Sequence, residues 1–435
     1  MTIEELKTKK KILIIGYGVE GKAVHEFLKQ HVPNAKIGIV DKNDGAGYLD
    51  KQSDYELAIK SPGVIPSLVK IPYTTATNIF FSNYKGKSIG VTGTKGKGTT
   101  SSIIYEMLVE SGRDAYLGGN IGEPPINFLH KLTDQSWSVL ELSSFQLQDL
   151  NISPNIAVVL MVTSDHLNYH KNISEYVSAK RNILRFQAAS DFAIINRDYP
   201  ASHESDIYSE GKVFYVSRER EGKDGSFLKD EILWMSIDGN VKKIIDIKDI
   251  LLPGKHNLEN VAAASLAAHL TGVGREDIVK VLRTFKGLEH RLELVREINN
   301  VKYYDDSFSV VPEATIAAIE SFREPEILIL GGSSKNADFT ELGKVISNAK
   351  NVKAIIGIGD EWWEIRSKIK DQRSKILMVE DANDMKTVVA AASKIAQSGD
   401  VVLLSPGCAS FGMFKNYKDR GEQFKKEVNN ISIKS

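Results

Sequence analysis

The chain has 435 residues with 56 basic and 56 acidic side chains, which gives a formal net charge of zero. That length predicts two or three domains, and the balanced charge offers no general attraction to nucleic acid or membranes, so neither is expected as a partner. No stretch approaches the roughly 20 apolar residues of a membrane helix, and the charged N-terminus lacks the apolar region of a secretory signal, so a cytoplasmic location is expected. The single cysteine, Cys408, excludes an intramolecular disulfide framework and a zinc site built on cysteines.

The N-terminal segment reads as one mononucleotide-binding half. An apolar strand pattern is followed by a glycine-rich loop over residues 16–21 and a helix over 22–31, and a second strand pattern ends in Asp41. This spacing is typical of a dinucleotide-binding fingerprint, but only about 85 residues precede the next glycine-rich loop, whereas a full dinucleotide fold needs two such halves. One half suffices for a nucleoside diphosphate, and Glu20 would repel that anion, so we expect its carboxylate to point away. The residues predicted to line the crevice are Tyr17, Val19, Asp41, Ser61, Pro62 and Gly63.

The second glycine-rich loop predicts a nucleoside triphosphate site. It follows a short apolar run and leads into a helical pattern, so that backbone N–H groups and a helix N-terminus surround phosphates. The match to the phosphate-loop consensus is imperfect, because Val91 replaces the first glycine and Gly98 follows Lys97 directly. The hydroxyl for Mg²⁺ must therefore come from Thr94, Thr99 or Thr100. The predicted contacts to the triphosphate are Gly93, Thr94, Lys95, Gly96, Lys97, Gly98, Thr99 and Thr100.

Three further side chains follow the strand patterns of this middle segment. Glu141 lies near the end of a buried strand pattern, where a carboxylate needs a partner, either Mg²⁺ beside the triphosphate or a structural arginine or lysine. His166 follows the next strand pattern as part of an Asp165-His166 pair, and such a pair at the end where open α/β sheets bind ligands indicates a site. Lys180, on the following helix, reads from the pattern alone as a solvated lysine.

The remaining sequence predicts strands over residues 191–246, an alanine-rich helix and a third α/β unit. Asn257 is predicted as the N-cap of the alanine-rich helix, and Asn260 lies in its first turn, where capping does not explain it. Residues 287–292 read as a linker to alternating strands and helices, as in a doubly wound sheet. The polar strand ends on the ligand-binding side of that sheet are residues 305–307, 331–335 and 405–410.

Three α/β units in a row, with the phosphate loop in the second, resemble the Mur ligase family over nearly the whole chain. The motifs that carry the resemblance are Gly93-Thr-Lys-Gly-Lys97, Gly118-Gly-Asn-Ile-Gly122, Glu141-Leu-Ser-Ser-Phe-Gln-Leu147, Asp165-His166, Tyr176-Val-Ser-Ala-Lys180, Leu252-Pro-Gly-Lys-His-Asn257, His290-Arg291, Asp306-Ser307, Leu404-Ser-Pro-Gly-Cys-Ala-Ser410 and Phe414-Lys-Asn416. Their joint order is most similar to the family members that add D-glutamate to UDP-N-acetylmuramoyl-L-alanine. The resemblance implies an α/β fold of three domains, which are an N-terminal Rossmann-like domain for the UDP substrate over residues 1–85, a central P-loop ATPase-like domain over 86–287 and a C-terminal Rossmann-like, doubly wound domain for glutamate over 288–435.

The resemblance implies an ATP-dependent, amide-forming ligase of peptidoglycan precursor synthesis, and a monomer is expected. Its catalytic residues would be Lys97, Glu141, His166 and Lys180. The metal ligands for Mg²⁺ would be Thr99, Glu141, His166 and Lys180, since Lys180 matches the carbamylated lysine of the family, which overrides its reading as a solvated side chain. Asn120 and His166 would contact the UDP-linked sugar. Asn257, Asn260, Arg291 and Asp306 would contact ATP, and the glutamate pocket would contain Lys335, Ser410 and Phe414.

Two departures from the family pattern keep alternatives open. The D-glutamate-adding members commonly read Asp-Ser-Lys-Ala-Thr where this chain has Asp306-Ser-Phe-Ser-Val310, so Phe308 replaces a lysine near the amino-acid and nucleotide sites, and a ligase for L-glutamate is an alternative. Gly98 after Lys97 resembles folylpolyglutamate synthase, a sister ligase that lacks the first domain. From other classes, an NAD-binding oxidoreductase and an ATP-binding regulatory module without turnover are the alternatives.

Overall fold

The computed structural model describes residues 1–166, 169–333, 337–369, 376–380, 382 and 384–432. The chain divides into two compact units, of which the first comprises residues 1–250 and 258–283 and the second comprises 251–257 and 284–435. The strands are β1 (Lys11–Ile15), β2 (Lys36–Val40), β3 (Leu57–Lys60), β4 (Tyr73–Thr74), β5 (Lys87–Thr92), β6 (Ala115–Gly119), β7 (Trp137–Glu141), β8 (Ile156–Val159), β9 (Phe192–Asn196), β10 (Lys212–Ser217), β11 (Gly225–Lys229), β12 (Ile232–Ile237), β13 (Asn240–Asp246), β14 (Glu293–Ile298), β15 (Val301–Asp305), β16 (Glu326–Gly331), β17 (Val352–Ile358), β18 (Leu377–Val379) and β19 (Val401–Leu404). The α-helices are α1 (Ile3–Lys7), α2 (Val19–His31), α3 (Ala76–Asn83), α4 (Lys97–Glu110), α5 (Pro125–Phe128), α6 (Ser144–Leu147), α7 (Ile173–Arg185), α8 (Pro200–His203), α9 (Lys255–Leu270), α10 (Arg275–Thr284), α11 (Pro312–Ile319), α12 (Thr340–Asn348), α13 (Trp362–Lys368), α14 (Met385–Ile395) and α15 (Tyr417–Asn429). Every helix in the described ranges is too short or too polar to span a bilayer.

The first sheet is small and parallel, with the strand order β2-β1-β3-β4. Apolar residues of β1 pack against Val24, Phe27 and Leu28 of α2 in one buried cluster. Helix α2 begins at Val19 rather than at the predicted position 22, because Gly18 adopts an extended conformation and serves as its N-cap. Glu20 therefore lies in the first helical turn, where a carboxylate favours the positive end of the helix dipole. Four parallel strands make only one half of a dinucleotide-binding fold.

The second sheet carries most of the first unit, with the order β13-β12-β11-β10-β9-β8-β5-β7-β6. Strands β5 to β11 are parallel to their neighbours, whereas β11, β12 and β13 are joined antiparallel. This confirms the predicted strands between residues 191 and 246. Since β8, β5, β7 and β6 are adjacent and parallel, the loops after their carboxyl ends lie along the same edge of the sheet.

The third sheet forms the second unit, with the order β14-β15-β19-β16-β17-β18. It is the predicted doubly wound sheet, because apolar clusters cover both of its faces. Strand β14 directly follows the predicted linker and pairs antiparallel with β15, and the sequence reading had not identified it. The signal for this hairpin was Asn299-Asn300, whose φ angles of +52° and +62° suit a two-residue turn between twisted strands.

The prediction that Asn257 caps the alanine-rich helix is wrong. Helix α9 begins at Lys255, so Asn257 lies inside its first turn and Asn260 lies in the second turn. The chain turns into the helix at Gly254, whose φ of +96° favours glycine, and the Asn257 side chain donates to the Pro253 carbonyl at 2.6 Å. The side-chain amide of Asn257 therefore bonds to a backbone carbonyl that precedes the helix.

Candidate active site

The loop between β5 and α4 has a conformation that requires glycine. Gly96 has a φ of +84°, and a Cβ atom there would approach Asn260 Oδ1 to 2.2 Å. The Lys97 ammonium donates to the carbonyl oxygens of Gly93 and Thr94, each at 3.1 Å, so its side chain folds back over the loop. Lys95 is exposed. A glycine loop at a helix N-terminus, with a lysine folded over it, is suited to bind phosphate oxygens.

Glu141 and Asn120 meet at the adjacent strand ends. Glu141 is the last residue of β7 and only 7% exposed, and it pairs in register with Val91 of β5 and Gly119 of β6. Asn120 donates its side-chain amide to Glu141 Oε1 at 3.2 Å, and its backbone N–H donates to the Glu141 carbonyl at 2.9 Å. The nearly buried carboxylate thus lies beside the phosphate loop, as the strand pattern predicted.

Lys180 is buried rather than solvated. Its side chain lies on α7 with 3% of its surface exposed, and its ammonium nitrogen is 2.8 Å from the Gly93 carbonyl oxygen and 4.8 Å from the centre of the Tyr176 ring. Burial, and then the neighbouring charge of Lys97, hold the pKa of Lys180 well below its ordinary value, while Asp165 and Glu141 act in the opposite direction. The neutral amine is therefore strongly favoured relative to an exposed lysine.

His166 occupies the loop after β8, on the same edge of the sheet. Its backbone has a φ of +53°, its ring lies 4.9 Å from that of Phe145, and nearly half of its side chain is exposed. Nε2 of the imidazole is 3.7 Å from an oxygen of Asp165. An accessible imidazole and a carboxylate at a strand end are suitable ligands for a divalent cation.

Of the three threonines that could supply a hydroxyl to a metal, Thr94 is already engaged. Its hydroxyl lies 2.9 Å from the Tyr176 hydroxyl and accepts from the Thr163 backbone N–H at 2.9 Å. Thr99 is 5% exposed and Thr100 is fully buried, both in the first turn of α4. Thr99 therefore remains as the hydroxyl nearest to solvent in that turn.

Helix α9 presents Asn260 to the phosphate loop and is anchored by the preceding Glu259. The Glu259 carboxylate accepts from Asn196 at 2.8 Å and Tyr199 at 3.0 Å, and it lies 2.6 Å from Nε of Arg218. These partners come from the ends of β9 and β10 and the start of α8. The anchor keeps Asn260 against Gly96, where a nucleotide base or ribose would follow the phosphates.

The predicted crevice of the first sheet is held by short polar contacts. Asp41 accepts the Tyr17 backbone N–H at 2.7 Å and that of Asn43 at 3.0 Å, and these two bonds lower the pKa of its carboxyl. Ser61 donates to the Gly16 carbonyl at 2.8 Å, and Val19 is 75% exposed. The loops after β1, β2 and β3 therefore lie together at one edge of the sheet.

The loops after the first sheet also bond to the second sheet's loops. Tyr169 donates its hydroxyl towards the carbonyl oxygens of Pro62 at 3.0 Å and Val64 at 3.1 Å. Lys60 is fully buried, and its ammonium lies 2.9 Å from Asp149 Oδ2. Within the first unit, this buried ion pair fixes the end of β3 to the segment after α6.

In the second unit, the residues predicted for nucleotide and glutamate lie around the ends of β15 and β19. Asp306 is buried and accepts from Ser405 at 2.8 Å, from the Leu292 backbone N–H at 3.1 Å and from the Ser309 hydroxyl, and burial raises the pKa of its carboxyl to about 7. The Arg291 guanidinium stacks over the Phe308 ring at 4.4 Å. The predicted pocket residues Ser410 and Phe414 are buried, and Lys335 lies outside the described residues.

The sequence did not predict Tyr176 as a site residue, and it indicated Asp165 only as part of an Asp–His pair at a strand end. Tyr176 packs its ring against the Lys180 ammonium and its hydroxyl against Thr94. The available signal was its position four residues before Lys180 on one helix face. Asp165 is among the charges that act on Lys180. The signal for Asp165 was the Asp–His pair at the end of a strand pattern.

Comparison with known proteins identifies the family. Residues 91–268 match the Mur ligase middle domain, and residues 290–408 match the Mur ligase, glutamate ligase domain. The UDP-N-acetylmuramoylalanine–D-glutamate ligase of Acetivibrio thermocellus is 38% identical, with 97% of each chain covered. The protein of the same name from a Thermoanaerobacter species is 36% identical over 98% of this chain and 99% of the relative.

Solved structures share the fold. The MurF ligase from Thermotoga maritima in complex with ADP has a TM-score of 0.59 at 19% identity and covers 98% of this chain and 99% of its own. The UDP-N-acetylmuramate-alanine ligase MurC from the same organism has a TM-score of 0.60 at 17% identity, with 96% and 99% covered. With two family domains matched and relatives aligned over nearly its whole length, this chain belongs to the Mur ligase family and is an ATP-dependent, amide-bond-forming ligase.

Proposed function

We propose that this ligase joins D-glutamate to the carboxyl group of UDP-N-acetylmuramoyl-L-alanine, in peptidoglycan precursor synthesis. The observation that carries the proposal is the convergence of Lys97, Glu141 and Lys180 at the ends of parallel neighbouring strands. The names of relatives that align over almost the full chain support the substrates. A carboxylate is unreactive towards an amine until one of its oxygens becomes a good leaving group, and phosphorylation provides that group.

The proposed reaction has two steps. A carboxylate oxygen of the nucleotide substrate attacks the γ-phosphorus of ATP, and ADP leaves to give an acyl phosphate. The amine nitrogen of glutamate attacks the acyl carbon, loses a proton and expels phosphate, which forms the amide. The first step brings two anions together, and the Lys97 ammonium over the loop offsets their repulsion.

The residues present also suit Mg²⁺. A nearly buried carboxylate at Glu141, the accessible imidazole of His166 and a hydroxyl at Thr99 make a chemically suitable donor set beside the phosphate loop. A bound Mg²⁺ would supply Lewis-acid charge to the phosphoryl oxygens. The chain's own contribution is to fix these ligands on rigid strand and helix ends.

We also propose that Lys180 carries a carbamate. Only a neutral amine reacts with carbon dioxide, and both burial and the Lys97 charge favour the neutral form of Lys180. The amine nitrogen bonds to the carbon atom of carbon dioxide and releases one proton, so a neutral amine becomes an anionic carbamate. That anion would relieve the repulsion from Lys97 and add a carboxylate ligand for the metal.

The substrates are proposed to divide among three domains. The N-terminal domain over residues 1–85 would bind UDP through Tyr17, Val19, Asp41, Ser61, Pro62 and Gly63, and Asn120 and His166 would contact the sugar. The central domain over 86–287 would bind ATP, to which Asn257, Asn260, Arg291 and Asp306 would contribute. The C-terminal domain over 288–435 would bind glutamate through Lys335, Ser410 and Phe414.

The test is phosphate release with UDP-N-acetylmuramoyl-L-alanine, ATP and D- or L-glutamate in parallel. We expect release to require the nucleotide substrate and an amino acid together, with D-glutamate preferred. Phe308, which stacks on Arg291, makes L-glutamate the second candidate, and a preference for it would change the amino acid but retain the mechanism. Phosphate release that is independent of both substrates would overturn the proposal.

A further inference from the structure

Tyr169 joins a loop of the first sheet to a loop of the second sheet. Its hydroxyl lies 3.0 Å from the Pro62 carbonyl oxygen and 3.1 Å from that of Val64. A phenolic hydroxyl carries one hydrogen, which these two acceptors must share. The side chain is half-buried, and neither the proposed chemistry nor the proposed binding of ATP and glutamate uses it.

The loop that receives this bond, residues 61–64, forms a wall of the crevice at the edge of the first sheet. Ser61 donates to the Gly16 carbonyl at 2.8 Å, and a Cβ atom on Gly16 would come within 2.8 Å of Ser61 Cβ and 3.4 Å of Val64 Cγ2. Loop 61–64 therefore packs directly against the glycine-rich loop after β1. A Cβ atom on Gly63 would meet no heavy atom within 4 Å, so the loop also faces open space. A shift of loop 61–64 would thus change the shape of the crevice.

The backbone and the ring of Tyr169 connect it to His166. The Tyr169 backbone N–H donates to the His166 carbonyl at 3.0 Å. The Tyr169 ring lies 4.4 Å from the Phe145 ring at an angle of 64°, and the His166 ring lies 4.9 Å from the same Phe145 ring. Tyr169 therefore contacts loop 61–64 through its hydroxyl and the loop of His166 through its backbone and ring.

Lys60 also bonds to loop 61–64, but its removal has a different consequence. Its ammonium donates to the Val64 carbonyl at 2.9 Å and pairs with Asp149 at 2.9 Å, so removing it leaves a nearly buried carboxylate without its cation. The Tyr169 hydroxyl is neutral and belongs to a half-buried ring. Tyr169→Phe takes away one hydrogen-bond donor and retains the ring, so the fold should tolerate it.

We propose that Tyr169 is a positioning residue for the nucleotide end of the substrate. Its hydroxyl holds loop 61–64 at a fixed distance from His166, so that one extended molecule can contact the crevice of the first sheet at one end and the strand ends of the second sheet at the other. The inference rests on the proposed function, which takes the substrate to carry a nucleoside diphosphate that binds in this crevice. A loop that is already held in its binding position loses less conformational entropy when the ligand binds. Tyr169 thus raises the affinity for the nucleotide through loop 61–64.

Steady-state phosphate release by the full chain tests this role with Tyr169→Phe. We expect the KM for UDP-N-acetylmuramoyl-L-alanine to rise about five- to tenfold, the range for loss of one neutral hydrogen bond. The kcat and the KM values for ATP and glutamate should stay within about twofold of the wild type, because loop 61–64 acts on the nucleotide end equally in the ground state and the transition state. Calorimetric titration with UDP alone should show the same loss of affinity, since UDP carries the groups that would contact the loop.

Tyr84→Phe is the matched control. The Tyr84 hydroxyl also lies near two backbone carbonyl oxygens, at 2.5 Å from that of Ser136 and 2.9 Å from that of Lys87. These two residues lie at the amino ends of β7 and β5, opposite the strand ends that carry the candidate site. Urea denaturation should show a similar loss of stability in both variants, whereas only Tyr169→Phe should have a raised KM for the nucleotide substrate.

The outcomes separate the role of Tyr169 from the proposed function. The role is wrong if Tyr169→Phe keeps the wild-type KM for the nucleotide substrate, if all three KM values rise together, or if Tyr84→Phe shows the same rise. Each of these results leaves the proposed function intact, because the wild type still turns over. A wild type that releases no phosphate with UDP-N-acetylmuramoyl-L-alanine would overturn the proposed function, and the role of Tyr169 with it.

Discussion

Two strand–glycine loop–helix units in the first compact unit share a backbone design but carry opposite charges. The β5–α4 loop has Lys97 folded over it, with the buried Lys180 behind. The β1–α2 unit has Glu20 in its first helical turn, and the lysine whose charge acts on Glu20, Lys60, is paired with Asp149. A glycine loop and a helix end therefore specify only that an anion can bind. The side chains decide which charges lie beside that anion.

The largest effect should come from removing the fixed cation. We expect Lys97→Met to reduce phosphate release about a thousandfold, because the transition state for phosphoryl transfer loses its charge stabilisation. The measurement is the rate of phosphate release at saturating nucleotide substrate and glutamate. The control is Lys29→Met, an exposed lysine on α2 that pairs only with Glu26 in the described structure. If Lys97→Met releases phosphate at a rate within tenfold of the wild type, the proposed difference between the two loops is wrong.

Removing Lys60 should instead destabilise the fold. Lys60→Met leaves Asp149 nearly buried without its cation, so we expect the free energy of unfolding to fall by about 3–5 kcal/mol. Urea denaturation of the full chain measures this change. The double variant Lys60→Met, Asp149→Leu removes both charges and should recover most of the loss. A double variant as unstable as the single one would show that packing, rather than the unpaired charge, is responsible.

Lys180 is buried like Lys60, but its close contacts in the described part of the chain are a backbone carbonyl and an aromatic ring rather than a carboxylate at ion-pair distance. We expect Lys180→Ala to lower phosphate release about a hundredfold, as loss of a carboxylate near a metal does. Added acetate or another short carboxylate should restore part of the rate, since it can occupy the vacated space and supply the anion. Lys60→Ala provides the matched control and should show no such rescue. An unchanged rate in Lys180→Ala would remove this residue from the site.

The sequence was sufficient to predict the placement of residues that are neighbours along the chain. The phosphate loop, Lys97 and the glycine at position 96 follow one another, and Glu141 was found because it ends an apolar run. Burial of Lys180 could not be read from the helix pattern, since its neighbours Gly93 and Thr92 come from a distant strand. Family resemblance, rather than periodicity, supplied that residue.

The sequence did not predict the contacts between segments that are distant along the chain. The ion pair of Lys60 with Asp149 and the bond between Glu20 and Gln146 join residues far apart in the chain, and neither has a local motif. The predicted N-cap at Asn257 failed for a local reason, because the positive φ of Gly254 starts the helix earlier. Helix propensity predicts where a helix lies more accurately than it predicts the residue at which that helix begins.

The smallest expected effect concerns the acid in the first turn of α2 and is measured without any ligand. Glu20 has a pKa of about 7 in the folded chain against an ordinary 4.5, so the folded state binds the proton more tightly than the unfolded state. Stability should therefore fall as pH rises from about 4.5 to 7 and stay level above, by up to about 3 kcal/mol from this group. Glu20→Gln lacks that decline, so its urea midpoint relative to the wild type should increase between about pH 5 and 8.

Glu26, on the same helix, should change stability with pH in the opposite direction. Its pKa is lowered by Lys29, so its contribution is present above its ordinary pKa and is lost as the solution becomes more acidic. Glu26→Gln should therefore lose a little stability at neutral pH and none in acid, whereas Glu20→Gln gains at neutral pH. If both variants follow the wild-type curve, the Glu20 carboxyl is not held protonated by its surroundings. The first turns of α4 and α2 would then carry a cation and an ionised carboxylate, respectively.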